Sequence, residues 1–179
     1  KLERILGASV AAGLKPKSHV NQFSIMGGVE IGVKHGAISV DHLEELDDND
    51  INALRNATTI ATALPSCSFF LSIPYSPAKK MIENNIAVAL ASDYNPGSTP
   101  NGNMQLVTAL GCIKMRLTPT QSLNATTING AFAMEIGDEL GSITLGKKAN
   151  LILSKEIPSI EYIPYSFGEN CVEETLIFQ

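Results

Sequence analysis

The chain has 179 residues, with 13 Lys and Arg against 18 Asp and Glu, a formal charge of −5 at pH 7 and 44% hydrophobic residues. That length suits about one globular domain, and a charged fraction of 17%, below the usual quarter or so, argues against a disordered chain and predicts a large buried core. The pI near 5.2 and scattered basic residues leave no cationic stripe for nucleic acid, and no window approaches the roughly 20 apolar residues of a membrane span.

Taken in chain order, helix-like and strand-like segments alternate, the pattern of βα units around a parallel sheet. Residues 1–12 read as a helix closed by Gly13; charge interrupts its apolar stretch, so it does not read as a signal peptide. Lys17 to Val20 reads as a short strand. A helix over about 25–35 ends on Lys34-His35-Gly36, with cations in the last turn and Gly beyond them. Ala37 to His42 forms the next predicted strand. Asp47 to Asp50 supply caps and first-turn acids for a helix running to about Asn56.

Thr58 to Leu64 is β-branched and strand-like. A loop holding Pro65, Pro74 and Pro77 is expected next, with Ser76 capping a helix that has Pro77 at its first position. Ile86 to Ala91 is a continuous apolar run, as in a strand buried on both faces. A Gly-, Pro- and Asn-rich loop covers Tyr94 to Asn103 and precedes two helices, the second announced by the Thr118 and Gln121 capping pair with Pro119 at N1. From Gly141 short strands are predicted at Ser142–Leu145, Asn150–Leu153 and Val172–Phe178. Cys67, Cys112 and Cys171 form neither a CxxC pair nor an even framework and read as inert thiols of a reducing, cytoplasmic compartment.

Four predicted strands end near polar residues, and three of those ends carry His19, His42 and Asp93. Ligands in parallel α/β folds bind at the carboxyl ends of strands. A strand-end histidine can equally be a hydrogen-bonded structural residue. Asp93 is harder to explain as structure, because an acid directly after an apolar strand needs a partner, a hydrogen bond or a metal. Imidazole and carboxylate together suit zinc or iron. His35, in a helix's last turn, is explained by the helix dipole alone.

The segments His19-Val-Asn-Gln-Phe, Gly36-Ala-Ile-Ser-Val-Asp-His42 and Ala91-Ser-Asp-Tyr-Asn-Pro-Gly-Ser98 resemble the imidazolonepropionase family of the amidohydrolase superfamily, and Thr127 to Ala133 and Gly141 to Leu151 resemble that superfamily's tail. The resemblance implies an α/β fold: the C-terminal half of a metal-dependent-hydrolase (β/α)8 TIM-like barrel over residues 1–140, and strands of a small composite β-sandwich over 141–179. It implies hydrolysis of the cyclic amide of 4-imidazolone-5-propanoate, a small-molecule substrate, to N-formimidoyl-L-glutamate with one zinc or iron ion. It leaves a homodimer open for the full-length protein. No His-x-His is present among His19, His35 and His42, and a full barrel takes about 250 residues, so the chain reads as a C-terminal fragment that is inactive alone.

Carried over by position, the resemblance makes His19 a metal ligand and Asp93 both a ligand and the proton acceptor. His42 would hydrogen-bond the attacked carbonyl, Asn95 and Gly97 the opened product, and Ser98 the propionate-bearing substrate. Gln22 stands where many members have Glu and is assigned an orienting hydrogen bond. Two alternatives remain: another cyclic amidohydrolase or deaminase of the superfamily, and a non-catalytic α/β binding domain with structural His and Asp.

Overall fold

Parallel strands cannot be joined by tight hairpins; each pair needs a crossover, usually helical. The computed structural model, which describes residues 1–178, places a helix in every crossover. After helix α1 (Leu2–Ala11), four strands, β1 (Lys17–Val20), β2 (Ser39–His42), β3 (Ile60–Ala63) and β4 (Val88–Leu90), pair side by side in chain order, all parallel. The crossovers carry α2 (Gly28–Lys34), α3 (Asp48–Arg55), then α4 (Pro65–Leu71) and α5 (Ala78–Glu83). Helices α6 (Met104–Ile113), α7 (Pro119–Thr126) and α8 (Ile128–Ala133) follow β4.

The core lies between the sheet and these helices, with Val20, Val40, Ala61, Val88, Leu54, Met81 and Val107 all buried. Fully burying one Val or Leu side chain contributes about 1.5–3 kcal/mol, so this layer holds the strands in place. Helix α2 sits very close to the sheet. A Cβ at Gly28 would come 2.7 Å from Val20 Cγ1, and one at Gly32 would come 2.8 Å from Val40 Cγ1. Only glycine permits that approach, which presses α2 against the two strands that carry the histidines.

Several local readings hold. Asp47 caps α3 in a capping box with Asp50, and Thr118 and Gln121 form the same motif at α7. Three differ. The segment after Pro65 is helix α4, with Pro65 at N1, rather than loop. Ser76 does not cap α5, whose N-cap is Pro77; its hydroxyl donates instead to the His42 carbonyl at 2.5 Å. Ser142–Leu145 is not a strand. The remaining strands, β5 (Leu151–Ser154) and β6 (Val172–Leu176), form an antiparallel pair flanking the short α9 (Tyr162–Tyr165). Asn150 closes this pair by accepting a hydrogen bond from the Phe178 backbone N–H at 3.1 Å. None of the helices is long and apolar enough to cross a membrane, among the described residues.

Candidate active site

Register sets the two histidines side by side: His19 of β1 pairs with Asp41 of β2, and Val20 with His42. Side chains alternate across a strand. Ser18 and Val20 are therefore buried toward the helices while His19 is exposed on the other face. On β2 the same alternation would put His42 opposite Asp41, toward the helices. It does not, because His42 has φ +87°, a left-handed conformation that breaks the pleat. The His42 ring instead lies against that of His19, centroids 4.0 Å apart and tilted by 50°.

Left-handed φ recurs just beyond β1, at Asn21 (+56°), and beyond β4, at Asp93 (+55°). Such conformations are uncommon for non-glycine residues and gather at functional sites. His19, His42 and Asp93 line one cavity of about 420 Å³, together with Lys17, Asp41 and Thr62. A second concavity of about 500 Å³ opens near the amino ends of β2 and β3, lined by Lys15, Thr58, Phe132 and Asp138 among others. It gathers no histidine and lies at the end of the sheet opposite to that where parallel α/β folds bind ligands.

The loop after β4 is organised around Asn95. Its side-chain carbonyl accepts from the backbone N–H groups of Gly97 and Ser98, both at 2.8 Å. Its amide donates to the Asp93 carbonyl and to Ser98 Oγ, both at 2.7 Å. Ser98 Oγ in turn donates to Asp93 Oδ2 at 3.2 Å. The loop thus closes on the carboxylate, leaving Asp93 Oδ1 outside this hydrogen bond. Gln22 points elsewhere: its amide donates to Cys67 Sγ at 3.6 Å. Burial pushes the Cys67 thiol up, with Ser98 opposing and Asp93 adding to the rise, so Cys67 sits between the ends of β1 and β4 as a neutral thiol. Gln22, Asn95, Gly97 and Ser98 are not part of the cavity's lining; Ser98 reaches it only through its hydrogen bond to Asp93.

Sequence reasoning passed over the residues behind the site. Asn21 Nδ2 donates to Asp50 Oδ2 at 2.9 Å and the Asn21 carbonyl accepts from Glu45 N at 2.9 Å, tying the end of β1 to α3. Burial pushes the Asp50 carboxyl up to about 6, partly opposed by the Asp47 backbone N–H and reinforced by nearby Glu30. Glu44 is buried beside His42; an acid two positions after the histidine was the available signal. His35 lies at the C-cap of α2, away from the cavity.

His19 and Asp93 offer the nitrogen and oxygen donors that suit zinc or iron. Among the described residues, no group of three or more His, Cys, Asp and Glu side chains is placed to hold a metal ion. The chain therefore fits part of a donor set.

A family model described as the amidohydrolase family matches residues 14–176. The chain is 55% identical over 174 residues to an imidazolonepropionase of Christiangramia forsetii, covering 97% of this chain and 42% of that protein. It is 57% identical over 175 residues to an imidazolonepropionase of Flavobacterium johnsoniae, covering 98% and 43%. The chain thus spans about two fifths of the length of the curated relatives it matches. Among solved structures, an adenosine deaminase from Xanthomonas campestris with bound zinc superposes with TM-score 0.80 at 18% identity, covering 98% of this chain and 47% of that one. A triazine hydrolase variant gives 0.81 at 14%, covering 98% and 45%. At such identities these likenesses speak for the fold alone: four parallel strands and their helices that make up part of a barrel.

Proposed function

This chain belongs to the amidohydrolase family, and from that premise we propose that it is the C-terminal portion of an imidazolonepropionase, opening the cyclic amide of 4-imidazolone-5-propanoate to give N-formimidoyl-L-glutamate. The observation that carries the substrate is the identity to imidazolonepropionases over nearly the whole chain. The convergence of His19, His42 and Asp93 on one cavity supports the chemistry.

His19 and Asp93 would hold a zinc or iron ion, with further ligands from the part of the barrel outside this chain. An ion held there would make a water beside it more acidic and so supply a nucleophile at neutral pH. Asp93 takes the water's proton on Oδ1, since Oδ2 accepts from Ser98. His42 donates a hydrogen bond to the carbonyl oxygen as negative charge develops there. The water oxygen bonds to the carbonyl carbon, the C–N bond breaks, and Asp93 returns its proton to the departing ring nitrogen. Asn95 shapes the loop so that Gly97 and Ser98 face the substrate's polar end, and Gln22 orients the β1 end through Cys67.

In this reading residues 1–140 belong to the barrel, residues 141–179 to a small composite β-sandwich, and the enzyme works in the cytoplasm. Two ligands are fewer than the three usual in catalytic zinc sites, so the 179 residues alone are expected to be inactive. The test is turnover by the full-length parent protein of 4-imidazolone-5-propanoate beside guanine, adenosine and cytosine. Ring opening of the first alone is expected. Deamination of a base or nucleoside in its place would transfer the protein to the deaminases, and no turnover of any after zinc or iron addition would favour a binding domain.

A further inference from the structure

The mechanism above gives no task to Glu44, a buried acid beside His42. Glu44 follows β2 by two residues, and its side chain is 0% exposed. Its Oε1 lies 3.4 Å from His42 Nδ1 and accepts from Ser68 Oγ of α4 at 3.1 Å. Its Oε2 has no hydrogen-bond partner among the described residues. Burying a carboxylate with an unsatisfied oxygen is unfavourable, and nothing in the packing of a β–α loop demands an acid there.

The surroundings of His42 show what the acid can do. The histidine backbone is already fixed: its carbonyl accepts from Ser76 Oγ, and the next amide, Leu43 N, donates to the Val20 carbonyl at 3.3 Å. One face of the ring packs on His19. The remaining freedom is rotation of the ring about its Cβ–Cγ bond, which would exchange the nitrogen edge for a carbon edge. We propose that Glu44, itself held by Ser68, is a positioning residue that removes this freedom by engaging Nδ1, so that Nε2 is the ring nitrogen presented to the substrate. Orienting carboxylates behind catalytic or metal-bound imidazoles act in the same physical way. The inference rests on the role given to His42 under the proposed function.

The test uses the full-length parent protein and the variants Glu44→Ala, Glu44→Gln and Ser68→Ala, with metal content, kcat and KM for 4-imidazolone-5-propanoate, and nitrogen-15 NMR of the histidine rings. Glu44→Ala is expected to lower kcat by about 10–100-fold with KM and metal content little changed, and Glu44→Gln, whose amide oxygen still accepts from Nδ1, to recover most of that loss. Ser68→Ala should fall between Glu44→Gln and Glu44→Ala. If Glu44→Ala fails to fold, the two near-isosteric variants decide the matter through kcat. Unchanged kcat in all variants, or a loss confined to KM or metal content, would overturn the proposal. A wild-type parent that leaves the substrate untouched would refute the functional reading instead. The NMR then decides the positioning separately: an Nδ1–H signal of His42 present in wild type and lost in Glu44→Ala supports it, and its presence in both overturns it.

Discussion

The sheet and the segment after Gly141 are both rich in apolar side chains, but the two regions use them differently. Val40 in β2 is 0% exposed, whereas Leu145 is 103% exposed and Ile143, Ile152, Ile177 and Phe178 also face outward. Each sheet strand finds its covering layer within the chain, because the crossover helices return to pack on it. Strands β5 and β6 find each other and little else. A paired ladder satisfies backbone groups, but without a second layer it buries little apolar surface. Exposed apolar surface on this scale marks an interaction face; under the proposed function other parts of a longer polypeptide would cover it. The site-bearing sheet is therefore nearly self-sufficient in packing, and the tail is not.

The largest expected effect lies in the sheet region. Asp93→Asn in the parent protein should lower kcat by about 10²–10⁴-fold, the range for loss of a positioned acid–base group, while circular dichroism shows an unchanged fold. Next is the α2 contact. Gly28→Ala drives a methyl group into Val20 and should cost about 1–3 kcal/mol, as overpacking does, read from denaturant unfolding.

A smaller effect depends on pH. The Asp50 carboxyl, at about 6 in the fold against an unfolded value near 3.9, binds its proton more tightly in the native state. Its contribution to stability is fully present below about pH 3.9 and is lost as pH rises through 6, with a slope of at most about 1.4 kcal/mol per pH unit. The neutral Asp50→Asn variant lacks this loss, so its stability relative to wild type should improve from pH 4 to pH 7 in paired melting curves. An advantage that shrinks over that interval would contradict the assignment. The smallest effect on turnover belongs to the tail. Leu145→Asp should leave kcat within about 2-fold yet lower stability by about 1.5–3 kcal/mol if the parent protein covers that side chain. An unchanged melting temperature would show that the tail stays open.

Much of the sheet was legible because its signals are local. The strand at Lys17–Val20 and the caps at Asp47 and Thr118 follow from the neighbouring residues alone. The errors arise where a residue answers to a distant partner. Ser76 has the look of a cap, but its hydroxyl serves His42, 34 positions earlier in the chain. Pro65 has the look of a loop signal, but proline at N1 also opens helices, as it does at α4. Ser142–Leu145 has strand composition but pairs with no strand among the described residues. At the site, the spacing of polar residues after apolar strands pointed to His19, His42 and Asp93. For Glu44 the only local signal is an acid two positions after His42; its importance depends on burial and on the left-handed turn at His42, which the sequence pattern does not encode.

The central claim is that the mouth of this sheet holds one side of a hydrolytic metal centre. Metal content and ring opening of the full-length parent, purified without chelator, measured beside its His19→Ala variant, test it most directly. The account predicts one zinc or iron per wild-type chain with turnover of 4-imidazolone-5-propanoate, and loss of both in His19→Ala at unchanged fold. A His19→Ala protein that keeps stoichiometric metal and wild-type turnover would contradict it.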